Sequence, residues 1–152
     1  MTKTETATHR HLARKFSTVL GLAGVAVIHI MDLPGKWEET RYLAFGYLGI
    51  IVVAAVLIER ILHKGTARDY AAAAALSLAV IVGFVVNRTV GMPGAMGDIG
   101  NWFEPLGLLS LFVEIWAAWQ AIQGFRLVAS GKRDEFDYDA ELVKLNASYS
   151  NH

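Results

Sequence analysis

The chain has no cysteine among its 152 residues. Disulfides, thiolate metal sites and cysteine nucleophiles are therefore excluded, and any metal would need histidine or carboxylate ligands. Net charge is absent too: 14 basic side chains balance 14 acidic ones, so no global field favours nucleic acid. Catalytic signatures are missing. There is no GxSxG, no HExxH, no phosphate-binding glycine loop and no Cys-x-x-Cys-His haem attachment, so the chain reads as non-enzymatic. The opening MTKTETATHRHLARK is too long and polar for the basic region of a signal peptide, and no small-residue cleavage motif follows its first apolar run.

What the chain has in quantity is apolar surface. Hydrophobic residues make up 54% of it, more than a soluble domain of this size carries. A spanning helix needs roughly 20 mostly apolar residues to cross about 30 Å of hydrocarbon. Four runs qualify: Phe16 to Met31, Tyr42 to Ile58, Tyr70 to Val86 and Leu106 to Val128. The expected fold is an all-α, four-helix transmembrane bundle of a polytopic membrane protein. Its domains are a cytoplasmic N-terminal arm, 1–15, a membrane domain, 16–128, and a polar cytoplasmic tail, 129–152, with a short helical stretch around Ala140 to Leu145.

Basic residues near helix ends are retained on the cytoplasmic side. Lys3, Arg10, Arg14 and Lys15 precede the first run, Arg60, Lys64 and Arg68 follow the second, and Arg126, Lys132, Arg133 and Lys144 follow the fourth. Only Lys36, Arg41 and Arg88 fall on the other side. Both termini are thus expected inside a plasma membrane, with outward loops at 32–41 and 88–105. Trp37 and Trp102 lie in those loops, where amphipathic rings favour the interface. Gly21 with Gly24, and Gly46 with Gly49, read as close helix contacts, as do the alanines of AAAAALSLAV.

Polar residues gather at the outer face. His29 and Asp32 end the first run, Glu38 and Glu39 approach the second, Arg88 closes the third and Glu104 opens the fourth. Between the last two runs, VVNRTVGMPGAMGDIGNWFEP is rich in glycine and proline, which suits a turn-rich cap folded over an outward pocket or a plain surface connection. Glu114 lies about 15 Å deeper than Glu104 at 1.5 Å per residue. An ionisable group at that depth costs at least ~2.5 kcal/mol, so it should face the bundle interior and have a partner or a proton. Gly107, Ser110, Ala117, Ala118 and Ala121 share its side of the helix; Phe112, Ile115, Trp116 and Trp119 occupy the other. Glu59 and Arg60 read as a pair at the inner interface.

Two blocks, IHIMDLPGKWEE and NRTVGMPG with the following EPLG and membrane glutamate, resemble those of a family of small bacterial four-span membrane proteins frequent in actinobacteria. The resemblance covers roughly Gly21 to Trp119 and implies the four-span fold and a residue set, not an activity. It points to His29, Pro34, Glu39, Arg88, Gly91, Pro93, Glu104 and Glu114. Two departures stand out: Lys36 replaces a second histidine of many relatives, and Ser110 replaces an aspartate. Each removes a potential metal ligand.

Three functional readings follow. The leading one is an outward polar site for a divalent metal ion or small cation, with His29, Glu104 and Glu114 as ligands or proton carriers, and Arg88, Glu39 and Asp32 as further ligand-binding residues. Another is an accessory subunit, with a membrane protein partner or a second copy, whose polar residues hold the bundle, Arg88 pairing Glu104 or Glu114. The third is a lipid or quinone site under the outer loop. Membrane lipid is an expected partner in all three, and nucleic acid in none.

Overall fold

A computed structural model of the chain describes the backbone of residues 3–149 and the side chains of residues 9–131. Among these residues there is no strand. Four α-helices, α1 (Lys3–Glu39), α2 (Arg41–His63), α3 (Ala67–Thr89) and α4 (Pro105–Tyr149), are joined by short connections, the longest of which contains a 3-10 turn at Met96–Asp98. All four are long and apolar enough to cross a membrane. Phe16, Leu20, Val52, Val82, Phe112 and Trp119 all point outward and exposed. An apolar exterior of this extent would drive aggregation in water and is satisfied in lipid.

Two sequence boundaries move. α1 does not stop at Met31: it runs on to Glu39 with Pro34 inside it, so the expected outer loop 32–41 shrinks to one non-helical residue, Thr40 (φ −151°, ψ 87°). Proline removes one N–H from the helical ladder, but the turn beyond is held by Lys36–Glu39 at 2.9 Å and by the Thr40 N–H donating to the Lys36 carbonyl. Likewise the expected polar tail is not a short helical stretch. α4 continues through it to Tyr149, because between Val128 and Tyr149 the chain has neither proline nor a helix-ending turn. The N-terminal arm is an extension of α1 from Lys3 onward and not a separate unit.

The turn between α2 and α3 corrects a third reading. Arg60 does not pair with Glu59; its Nε donates to Asp69 Oδ1 at 2.6 Å. Asp69 is also the third helical residue of a capping box, taking the Thr66 N–H while Thr66 Oγ1 receives the Asp69 N–H. A carboxylate in the first turn of α3 thereby fixes the cap and ties α2 to α3.

The helices pack in the order α2, α1, α4, α3, and α2 meets α3 most lightly. α1 and α4 approach closely because their contact residues are small. A Cβ on Gly21 would lie 2.9 Å from the Ala117 main chain, and one on Gly24 would lie 2.7 Å from Val113 Cγ1. Gly46 and Gly49, by contrast, have nothing within 4 Å of a built Cβ and make no close contact. Leu22, Leu57, Ile61, Tyr70, Ala73, Ala74 and Ala121 form one buried cluster from all four helices. That cluster seals the end of the bundle away from the 90–104 connection and leaves the other end open to a different use.

The two glycine pairs should separate experimentally. Gly21→Ala forces α1 off the Ala117 backbone and is expected to cost about 1–3 kcal/mol. Gly49→Ala meets open space and gains helix propensity, up to about 1 kcal/mol. Reversible unfolding in mixed micelles should rank Gly49→Ala above wild type and Gly21→Ala below it; equal stabilities would refute the packing assignment.

Candidate functional site

Toward the 90–104 connection the bundle is hollow. A cavity of about 280 Å³ is lined by all four helices and by the connection itself. Ile28, Leu43, Ile50, Leu76, Val80, Phe84 and Leu106 give it mostly apolar walls. α2 and α3, the most lightly joined neighbours, form opposing walls, with Gly46 on one and Ala79 and Gly83 on the other.

Arg88 organises the roof. It sits in the last turn of α3 with a side chain only 5% exposed, and an unpaired guanidinium there would be costly. Its Nη1 lies 3.0 Å from Asp98, its Nη2 donates to Glu104, and its carbon lies 5.2 Å from the Phe84 ring centroid. Space for this arrangement depends on Gly107: a Cβ there would be 2.9 Å from Phe84 and 3.2 Å from Arg88 Nη2. The chain reaches Asp98 through Gly91, whose φ of +82° ends α3; a side chain at that position would also strike Ile99 and Met96.

Asp98 in turn joins three elements. Besides Arg88 it accepts from Asn87 Nδ2 at 2.8 Å and from Lys36 Nζ at 3.5 Å, so α1, α3 and the connection meet on one carboxylate. Further ties hold the connection down. Thr40 Oγ1 donates to the Gly94 carbonyl at 3.1 Å, Tyr42 Oη to the Pro93 carbonyl at 2.8 Å, and the Gly100 N–H to the Arg88 carbonyl at 2.9 Å. Of the two uses expected for the glycine-rich segment, the structure therefore has the cap, held from α1, α2 and α3.

Below the roof lie the remaining polar groups. Glu114 is fully buried; its Oε1 accepts from Ser110 Oγ at 2.7 Å, and its Oε2 has no hydrogen-bond partner among the described residues. Asn87 Oδ1 and Arg88 Nε are likewise buried and unpartnered in the cavity wall. His29 is 4% exposed, donates from Nδ1 to the Val25 carbonyl at 2.8 Å and meets the Tyr47 ring edge-on at 4.7 Å between centroids. Tyr47 Oη donates to Asp32 at 3.0 Å.

Most residues expected at the site are thus brought to one cavity: His29, Asp32, Arg88, Glu104 and Glu114 all line it. Glu39 does not; its side chain is 64% exposed and engages Lys36. The three residues expected as metal ligands do not lie together as a cluster. Among the described residues no three of histidine and carboxylate come close enough to hold an ion. Glu104 is engaged by Arg88, one oxygen of Glu114 by Ser110, and one nitrogen of His29 by main chain. Lys36, which the sequence offers as an outer basic residue and a replaced histidine, supplies a cation to Asp98. Asp98, Asn87 and Tyr47 were missed. Of these, Asp98 carried a signal: it is one of two carboxylates in the glycine-rich segment, and the unassigned one.

Folding holds the Asp98 carboxyl below its ordinary value of 3.8; burial works against ionisation but is outweighed by the Asn87 hydrogen bond and the charges of Lys36 and Arg88. A depressed carboxyl contributes stability above its unfolded pKa and loses it as pH falls through the folded one. The cap should therefore loosen below about pH 4, and Asp98→Asn should flatten that part of the acid dependence. Melting temperatures of both proteins from about pH 7 down to pH 3 test this; parallel curves would contradict it.

No family model, curated protein or solved structure matches the chain, and the functional reading rests on its own residues.

Proposed function

We propose that the protein is a multi-pass plasma-membrane protein that binds a membrane amphiphile, of lipid or quinone type, in the cavity beneath the 90–104 connection. One observation carries the reading. The cavity is mostly apolar and far larger than a bare cation, yet three residues that line it, Arg88, Asn87 and Glu114, each keep a buried polar atom (Nε, Oδ1 and Oε2) without a partner among the described residues. Small-molecule sites combine these features: apolar walls and a few placed polar groups. A ligand that meets one donor and two acceptors in a dry wall recovers hydrogen bonds that the protein alone leaves unmade.

Charge narrows the ligand. The lining has Lys36 and Arg88 against Asp32, Asp98, Glu104 and Glu114, and both cations are already paired. A polar end without negative charge suits this wall; an anionic headgroup does not. A carbonyl can accept from Arg88, and a hydroxyl can donate to Asn87 or Glu114. The apolar body would extend toward the seam between α2 and α3, the natural route from the bilayer because these two helices are joined most lightly.

The asymmetry of lysine and arginine supports both termini on the cytoplasmic side, which places the cavity outward. His29, Arg88, Glu104 and Glu114, four of the residues singled out by the resemblance to the bacterial four-span family, fall in this cavity. On this reading the family shares a ligand cavity and not a metal centre.

Gly83 offers a direct test, since it lines the cavity and a Cβ there meets nothing within 4 Å. Gly83→Leu should fill the cavity without disturbing helix packing. Mass spectrometry of organic extracts from mildly solubilised protein should find an amphiphile enriched over bulk membrane in the wild type and lost from Gly83→Leu. Identical extracts from the two proteins, with both folded, would end the proposal.

A further inference from the structure

A second site lies at the opposite end of the bundle. α1 and α4 run antiparallel, and the contacts of Gly21 with Ala117 and of Gly24 with Val113 set their register. Continued toward the α1 N-terminus, that register brings Arg14 beside Gln120 and Gln123, and Arg10 beside Leu127. Arg10 and Arg14 stand one turn apart on α1. Gln123, Arg126, Leu127 and Ser130 form a single stripe on α4 at the spacing of one helix face. Together these six residues line a cleft of about 300 Å³.

We infer that this cleft binds an anionic phosphate group, carried by a phospholipid headgroup or free in solution. Among the described residues it is lined by three arginines and no carboxylate. Elsewhere Arg88 is matched by Asp98 and Glu104, Lys36 by Glu39 and Asp98, and the exposed Arg60 by Asp69, while the half-buried Lys15 donates to the Leu62 carbonyl. Arg10, Arg14 and Arg126 form no salt bridge to a described residue, and three guanidinium groups around one cleft repel one another until an anion enters. Arg14 is tied to α4, because its Nη1 donates to Oε1 of the buried Gln120 at 2.7 Å. A phosphate offers several acceptor oxygens, and the planar guanidinium fork can meet two of them at once. The Gln123 amide and the Ser130 hydroxyl add neutral donors at the rim.

Position favours the lipid source of that phosphate. Phe16 and Val128 mark the ends of the apolar runs, so the cleft sits at headgroup depth. Leu12, Phe16 and Phe125 are exposed nearby on the same two helices, where acyl chains would lie.

Native mass spectrometry of the full chain in mild detergent, titrated with phosphatidylglycerol or with phosphatidylcholine of the same chains, tests the site. Arg10→Gln/Arg126→Gln is the variant of choice: both side chains are exposed, and the Arg14–Gln120 bond is kept. Phosphatidylglycerol should bind the wild type more tightly than phosphatidylcholine, and the double variant should lose about tenfold in affinity for it. Arg10→Lys/Arg126→Lys, which keeps charge but not the fork, should fall between them. Displacement of the lipid by inorganic phosphate, with phosphate alone binding by calorimetry, would assign the site to the free anion; undisturbed lipid binding would assign it to the headgroup. Equal phosphatidylglycerol affinity in wild type and both variants would overturn the inference.

Discussion

The end of this molecule that carries the 90–104 connection depends on a single buried cation. Arg88 closes α3 at a depth where an unpaired guanidinium would cost several kcal/mol. The chain meets that cost with two carboxylates of the connection, Asp98 and Glu104, the latter next to the start of α4. Because both partners come from sequence beyond α3, the pairing also dictates where that sequence must go. The connection folds back over the bundle, and α4 begins beside the α3 terminus. Gly107 and Gly91 follow from the same demand, one leaving room for the guanidinium and the other turning the chain at a positive φ.

Packing divides the bundle into a closed end and a hollow one. At the closed end large aliphatic residues and Tyr70 interlock, and the Thr66–Asp69 cap binds α2 to α3 through Arg60. At the hollow end the facing positions are small or absent, with Gly46, Ala79 and Gly83 contributing little volume between α2 and α3. Interiors normally pack to the density of organic crystals, and the 280 Å³ space, with polar atoms unpartnered among the described residues around it, is the departure on which the proposed ligand site rests. Function on this account is a consequence of where the side chains are withheld.

Much of this was legible in the sequence, for reasons that differ by residue. Glu114 and its small-residue face were readable because helical periodicity and the cost of a buried carboxyl both point inward; Ala117 and Ala121 are indeed fully buried, while Phe112 and Trp119 face out. The cost of a buried charge called for a carboxylate partner to Arg88, Glu104 or Glu114, and the fold chose Glu104. Pro34 misled because proline penalises a helix without forbidding it when neighbouring contacts hold the turn. Gly46 and Gly49 looked like Gly21 and Gly24, since nothing in a glycine says whether another backbone lies opposite. The spacing of the expected metal ligands was hidden for a related reason. Topology puts His29 and Glu104 at one face with Glu114 deeper on an inward-facing side, but rotamers and competing hydrogen bonds decide whether their polar atoms converge. Asp98 lies in a segment without any period, and only the fold could put it against Arg88.

The direct test of this account is amide hydrogen exchange across the connection in wild type and Arg88→Leu, both in lipid nanodiscs. If Arg88 holds the cap, the protected amide of Gly100, bonded to the Arg88 carbonyl, and its neighbours in 90–104 should exchange much faster in the variant. Exchange in the middle of α2 should stay unchanged. Equal protection of the connection in both proteins would contradict the account, because the cap would then be held by something other than the buried arginine.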